Sequence, residues 1–210
     1  MTPVSSAHIE DARFPTHPVA HWQDLRAVAP RARQILKDTN AKMNSVETDR
    51  NLSPEGVKRA RAEIGKAAIA QLNDLAAPSP AVERRMKALN EKTDAALAEG
   101  SAQNSTQGQV ASEIRSYVAN SDAPAMTAHR LIGNKKALAA VLDAPAFLSG
   151  LNDDEHNALR SRAGASTDSG KEAQEIGKAL EVNNGTVRQA VGKIAQRAHL
   201  QHHDGDWNLG

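Results

Sequence analysis

"NLSPEGVKRARAEIGKAAIAQLNDLAAPSPA", Asn51 to Ala81, reads as one complete helix and the opening of the next. Ser53 is placed to cap the helix, Pro54 suits the first helical position, and Glu55 suits the positive end of the dipole. Val57, Ile64, Ala68, Leu72 and Leu75 then recur at helical spacing until "AAPSPA" ends the run. The span is about 24 residues, or roughly 36 Å at 1.5 Å per residue. Ser79 and Pro80 repeat the start signal. The helix they open carries Val82, Met86, Leu89, Thr93 and Leu97 at steps of four, three, four and four, a narrow seam rather than a wide core-facing stripe. The short join between the two predicts an antiparallel hairpin.

Upstream, Val28, Ile35, Leu36, Met43 and Val46 mark another helix over 24–48, with Pro30 in its first turn or at a kink. Before that, Pro3, Pro15 and Pro18 with scattered Ser and His predict an extended arm, on which Phe14 and Trp22 are the anchors for another subunit. Downstream, "GSAQNSTQGQ" (100–109) is a linker by composition. Shorter helices follow over 110–119, 125–132, 135–142 and 152–162, the last capped by Asn152 or Asp153. In "DAPAFLSGL" (143–151), Pro145 breaks the helix, and Phe147, Leu148 and Leu151 form the densest apolar cluster. That cluster is the expected core of a small second unit, with Tyr117, Leu131, Leu138 and Leu142 around it. No strand or hairpin is expected.

The expected class is therefore all-α. An extended arm (1–22) is followed by a long antiparallel helical hairpin or bundle (23–99), a linker (100–109) and a small unit of short helices (110–165). A helix-turn-helix-like segment with a polar tail (166–210) completes the chain.

Composition narrows the function. The chain has 210 residues, 26 basic and 25 acidic, a net charge of +1 that argues against a dedicated polyanion binder. Aromatic residues make up 2% and there is no cysteine, which removes disulfides, thiolate metal sites and cysteine nucleophiles. A core thin in bulky side chains, each contributing roughly 1.5–3 kcal/mol when buried, predicts completion by neighbouring subunits and a homo-oligomer. The first residues lack a secretion signal and no stretch approaches the roughly 20 apolar residues of a membrane span, so an intracellular protein without membrane contact is expected. Phosphate-loop, G-x-S-x-G and H-E-x-x-H motifs are absent, and Asp153, Asp154 and Glu155 sit at a helix start, where carboxylates serve the dipole. No enzyme and no cofactor are expected. Asp204, Asp206 and Asn208 imitate the opening of a calcium loop without its glycine and distal glutamate, and His199, His202 and His203 read as solvated, so no metal is expected.

"LEVNNGTVRQAVGKI", Leu180 to Ile194, resembles the helix-turn-helix of winged-helix regulators of the GntR type. The first helix would run over 171–180 and the recognition helix over 186–198, with Ile176, Leu180, Val182 and Val187 inward. The resemblance implies DNA contacts by Asn183, Asn184, Thr186, Arg188, Lys193 and Arg197. Glu181 stands where the motif's turn carries glycine, and Gly192 interrupts the second helix at about 1 kcal/mol relative to alanine.

A second resemblance covers more of the chain. "NLSPEGVKRARAEIGKAAIAQL" (51–72), "EIRSYVANSD" (113–122) and "ALAAVLDAPAFLSGLNDDEHNALRSRA" (137–163) resemble small helical proteins of tailed-bacteriophage and prophage morphogenesis clusters. That implies a virion component at the head, connector or tail, made in the host cytoplasm and binding capsid, portal or tail proteins. The surfaces expected to bind are Phe14, Trp22, the seam of Val82, Met86, Leu89 and Leu97, and the cluster of Phe147 and Leu148. The alternative is a DNA-binding regulator or packaging factor.

Overall fold

The computed structural model describes residues 20–203 and 206–209, and its elements are almost all helical. Helices α1 (Ala20–Thr48), α2 (Pro54–Ala76) and α3 (Pro80–Ala98) are long, followed by α4 (Ser105–Ala119), α5 (Pro124–Arg130), α6 (Lys135–Leu142) and α7 (Asp153–Ser166). Helix α8 (Asp168–Ala198) is the longest, and a hairpin of β1 (Leu200–His203) and β2 (Asp206–Leu209) follows it. Two compact units result: the described residues up to Arg84 with those from Gly177 onward, and Arg85–Ile176.

In the first unit α2 starts as its sequence dictates, the Ser53 hydroxyl accepting from the Gly56 N–H at 3.1 Å. Its antiparallel partner is α1, reached through the short turn at 49–53. Of the expected apolar face of α2, Ala68 and Leu72 are buried, whereas Val57, Ile64 and Leu75 lie at the flanks and Ile69 takes the centre. Helix α1 starts at Ala20, so Trp22 belongs to a helix rather than an arm, and Pro30 sits well inside α1 on its exposed side. There its ring is accommodated by giving up one internal N–H bond.

The second half of α8 completes this unit. Asn183 donates to the Leu25 carbonyl at 3.0 Å near the start of α1, and Arg197 donates to Asn40 Oδ1 at 2.7 Å near its end, so the two helices run parallel. Ala32, Leu36, Met43, Ile69, Leu72, Val187, Ala190 and Ile194 form the shared core. Small residues permit close approach: a Cβ on Gly65 would lie 2.6 Å from Ala198 Cβ. The alanine-rich composition is thus a device for packing helices tightly within one chain. In this unit the sparse apolar side chains are buried against one another within the chain.

Helix α8 also corrects the helix-turn-helix reading. It is continuous through 181–185, where the turn was expected, because its buried positions Ile176, Ala179, Asn183, Val187, Ala190 and Ile194 advance by three or four without a break. His199 ends it in the left-handed region at φ 54°. The following residues pair as Leu200↔Leu209 through His203↔Asp206, contrary to the expectation of no strands. The signal was present in Asp204-Gly205, a dipeptide typical of two-residue hairpin turns.

The second unit is built around α6, buried from Ala137 to Leu142 and capped by Asn134, whose side chain accepts from the Ala137 N–H. Val118, Leu138, Val141, Leu142, Leu151 and Leu159 form its core. The expected linker is half helix: Asn104 caps α4, its Oδ1 accepting from the Gln107 N–H at 2.9 Å. The α3 seam is used inside the chain, with Val82, Leu89 and Leu97 buried and Met86 half-buried. Polar ties run from α3 to α7 and the start of α8: Arg85 grips Glu172 at 2.7 and 2.5 Å, Thr93 bonds Ser169 at 2.8 Å, and Arg160 reaches Asp94 at 3.0 Å. The hydrogen bond to Glu172 raises the pKa of the Arg85 guanidinium above its ordinary value.

Candidate functional site

The segment after α6 shows how one short stretch places apolar side chains in opposite directions. Pro145 stops the helix, and residues Ala146–Ser149 form a single 3₁₀ turn in which the Leu148 N–H donates to the Pro145 carbonyl at 3.0 Å. With three residues per turn, side chains at i and i+3 align. Ala146 and Ser149 consequently point inward together, and Phe147 and Leu148 must point out. Phe147 is 73% exposed and Leu148 45%.

The turn is held at both ends. Gly150 adopts φ 68°, a conformation that costs glycine little, and a Cβ there would lie 3.0 Å from Ala119 Cα of α4. Leu151 N–H then donates to the Ala146 carbonyl at 3.2 Å. Asn152 opens α7 with a reciprocal capping box, accepting from the Glu155 N–H at 2.8 Å while Glu155 accepts from the Asn152 N–H at 3.0 Å. Phe147 therefore stands on a fixed support. Tyr117, on the α4 helix against which this turn closes, is also exposed, at 68%. The expected core cluster is thus split: Leu138, Leu142 and Leu151 are inside, Leu131 is half-buried, and Tyr117, Phe147 and Leu148 are outside.

Phe147 and Tyr117, two of the chain's few aromatic residues, are thus left mostly exposed, where they contribute little to folding. Exposed aromatics on a rigid scaffold are what a binding surface needs, because a ring of two torsions loses little freedom on contact. Spacing alone did not single out Tyr117, although Val118, Ile114 and Ala111 trace the inner face of α4 and leave it on the other side.

The remaining expected residues fall elsewhere. Phe14 lies outside the described residues, and Trp22 is buried. Of the expected DNA contacts, Asn183, Thr186 and Arg197 are buried in the first unit, Asn184 and Lys193 are half-buried, and Arg188 is exposed. One helical face cannot both line a core and read a groove. His202 packs edge-on against Trp207 with ring centres 5.0 Å apart, and among the described residues no three His, Asp or Glu side chains converge as metal ligands. Glu99 is held below the usual carboxylate range by its hydrogen bond from Lys135 at 2.5 Å. Among the described residues, no helix is long and apolar enough to cross a membrane. Comparison with protein families, with curated proteins and with solved structures returns no match to this chain.

Proposed function

We propose that this chain is a structural protein of a tailed-phage particle that works by assembly, binding capsid, portal or tail proteins and further copies of itself. Exposure of Phe147 and Leu148 on a pinned turn carries the reading. An aromatic side chain held out on a rigid turn is the chemistry of a protein–protein anchor. The resemblance to phage morphogenesis proteins includes this segment and supplies the setting: assembly in the host cytoplasm and residence in the virion. The groups described here suit contact, with no activated nucleophile or carboxylate pair among them, and the proposed role is not enzymatic.

The test is incorporation. Cells producing particles together with the tagged chain are expected to yield purified particles that contain it. Phe147→Asp combined with Leu148→Asp should lower its content roughly 30-fold, the effect of losing about 2 kcal/mol at a central anchor, while leaving the helical circular dichroism spectrum unchanged. Absence of the chain from particles, or undiminished incorporation of the variant, would defeat the reading.

A further inference from the structure

We infer that the first unit holds a binding site for a phosphate-type oxyanion in the cleft between the first turns of α2 and the end of α8. The cleft has a volume of about 350 Å3 and is lined by Pro54, Val57, Lys58, Arg61, Ala198 and His199. That volume falls in the range of roughly 300–1,000 Å3 typical of small-molecule sites.

The argument rests on charge. Arg61 and Arg197 are both buried, at 8% and 9% exposure, an uncommon state for guanidinium groups. Among the described residues they share one carboxylate, Glu47, whose Oε1 lies 3.4 Å from Arg61 Nη1 and 3.6 Å from Arg197 Nη2. Their other partners are neutral: Arg61 Nη2 donates to the Arg197 carbonyl, and Arg197 donates to Asn40 and Asn44. The α8 carbonyl brings only part of a negative charge from its helix dipole. Among the described residues one positive charge is left over in a desolvated place, and the buried Arg61 Nε–H meets no acceptor. A buried charge without a counter-charge is costly, so the cluster favours an incoming anion. Of the two arginines it is Arg61 that lines the cleft, and Lys58 and His199 place further basic groups at its exposed mouth.

Guanidinium and ammonium groups converging on one space are matched to the several oxygens of a phosphate, and the cleft exceeds what a bare ion needs. The phosphate group is the shared chemistry; it can be free or carried on a small organic group.

Thermal unfolding of the full chain tests this with inorganic phosphate and with glycerol 3-phosphate, each against chloride at equal ionic strength. The expected result is a saturable rise in midpoint with one or both phosphates, as binding to the folded state requires. A rise with both marks a site for the group itself, and a rise with the ester alone marks a site for phosphate esters. Lys58→Glu, at the exposed mouth, is expected to weaken the apparent affinity at least tenfold without unfolding the protein, and Arg61→Met to abolish the effect. If Arg61→Met does not fold, Lys58→Glu combined with His199→Ala decides by the same readout. A midpoint that moves no more in phosphate than in chloride overturns the inference. So does a phosphate response that survives in Lys58→Glu and in the Arg61→Met or double variant.

Discussion

Proline in place of Gly185 is expected to destabilise the protein by about 3 kcal/mol or more, while alanine at the same position is expected to stabilise it by about 0.5–1 kcal/mol. Gly185 lies inside α8, where proline removes an internal N–H bond and drives its ring into the preceding turn. Alanine there meets nothing within 4 Å, and the backbone is helical, so the substitution only reduces the freedom of the unfolded chain. Gly192, equally open and in the same helix, should respond alike to alanine. The signs separate two structures. In a helix-turn-helix, Gly185 would sit in or beside the turn, where proline is tolerated and a left-handed glycine resists alanine. Urea unfolding of the three variants checks this; tolerance of proline at 185 would overthrow the continuous helix.

The second large effect is expected at Leu72. It is fully buried against α1 and the second half of α8, and Leu72→Ala should cost about 2–5 kcal/mol. The core that Leu72 belongs to is rich in alanine, Ala29, Ala32, Ala62, Ala68, Ala190, Ala195 and Ala198 among its members, and alanine has no side chain able to swing into a cavity. Against a total stability of about 5–15 kcal/mol, such a loss is a large fraction. Phe147→Ala removes a larger side chain yet should change stability by less than about 0.5 kcal/mol, because Phe147 is mostly in solvent. Measuring both by urea unfolding of dilute protein separates residues that fold the chain from residues left for partners. A small effect at Leu72 in the isolated chain would mean that this core forms only in an assembly.

Much of the helical layout is legible in the sequence because its signals are local. Ser53-Pro54, Asn152 with Glu155, and the break at Pro145 each act within one turn of backbone, so they can be read in place. The candidate surface is only half legible. "AFLS" shows three apolar residues and a serine, and nothing nearby distinguishes a cluster facing in from one divided by a 3₁₀ turn. The hairpin after α8 was readable from Asp204-Gly205, but its strands are too short and polar to alternate visibly.

Read alone, the sequence established an all-α class with most of its helix starts and stops, since capping and proline chemistry need no distant partner. Which polar residues enter the buried faces was decided only by tertiary structure. Asn183 and Arg197 look like groove-reading polar residues until α1, some 158 positions from Asn183, supplies the Leu25 carbonyl and Asn40 that satisfy them. A polar side chain can occupy a core position when a backbone or amide acceptor waits there, and such an acceptor, being remote in sequence, leaves no mark on the local pattern.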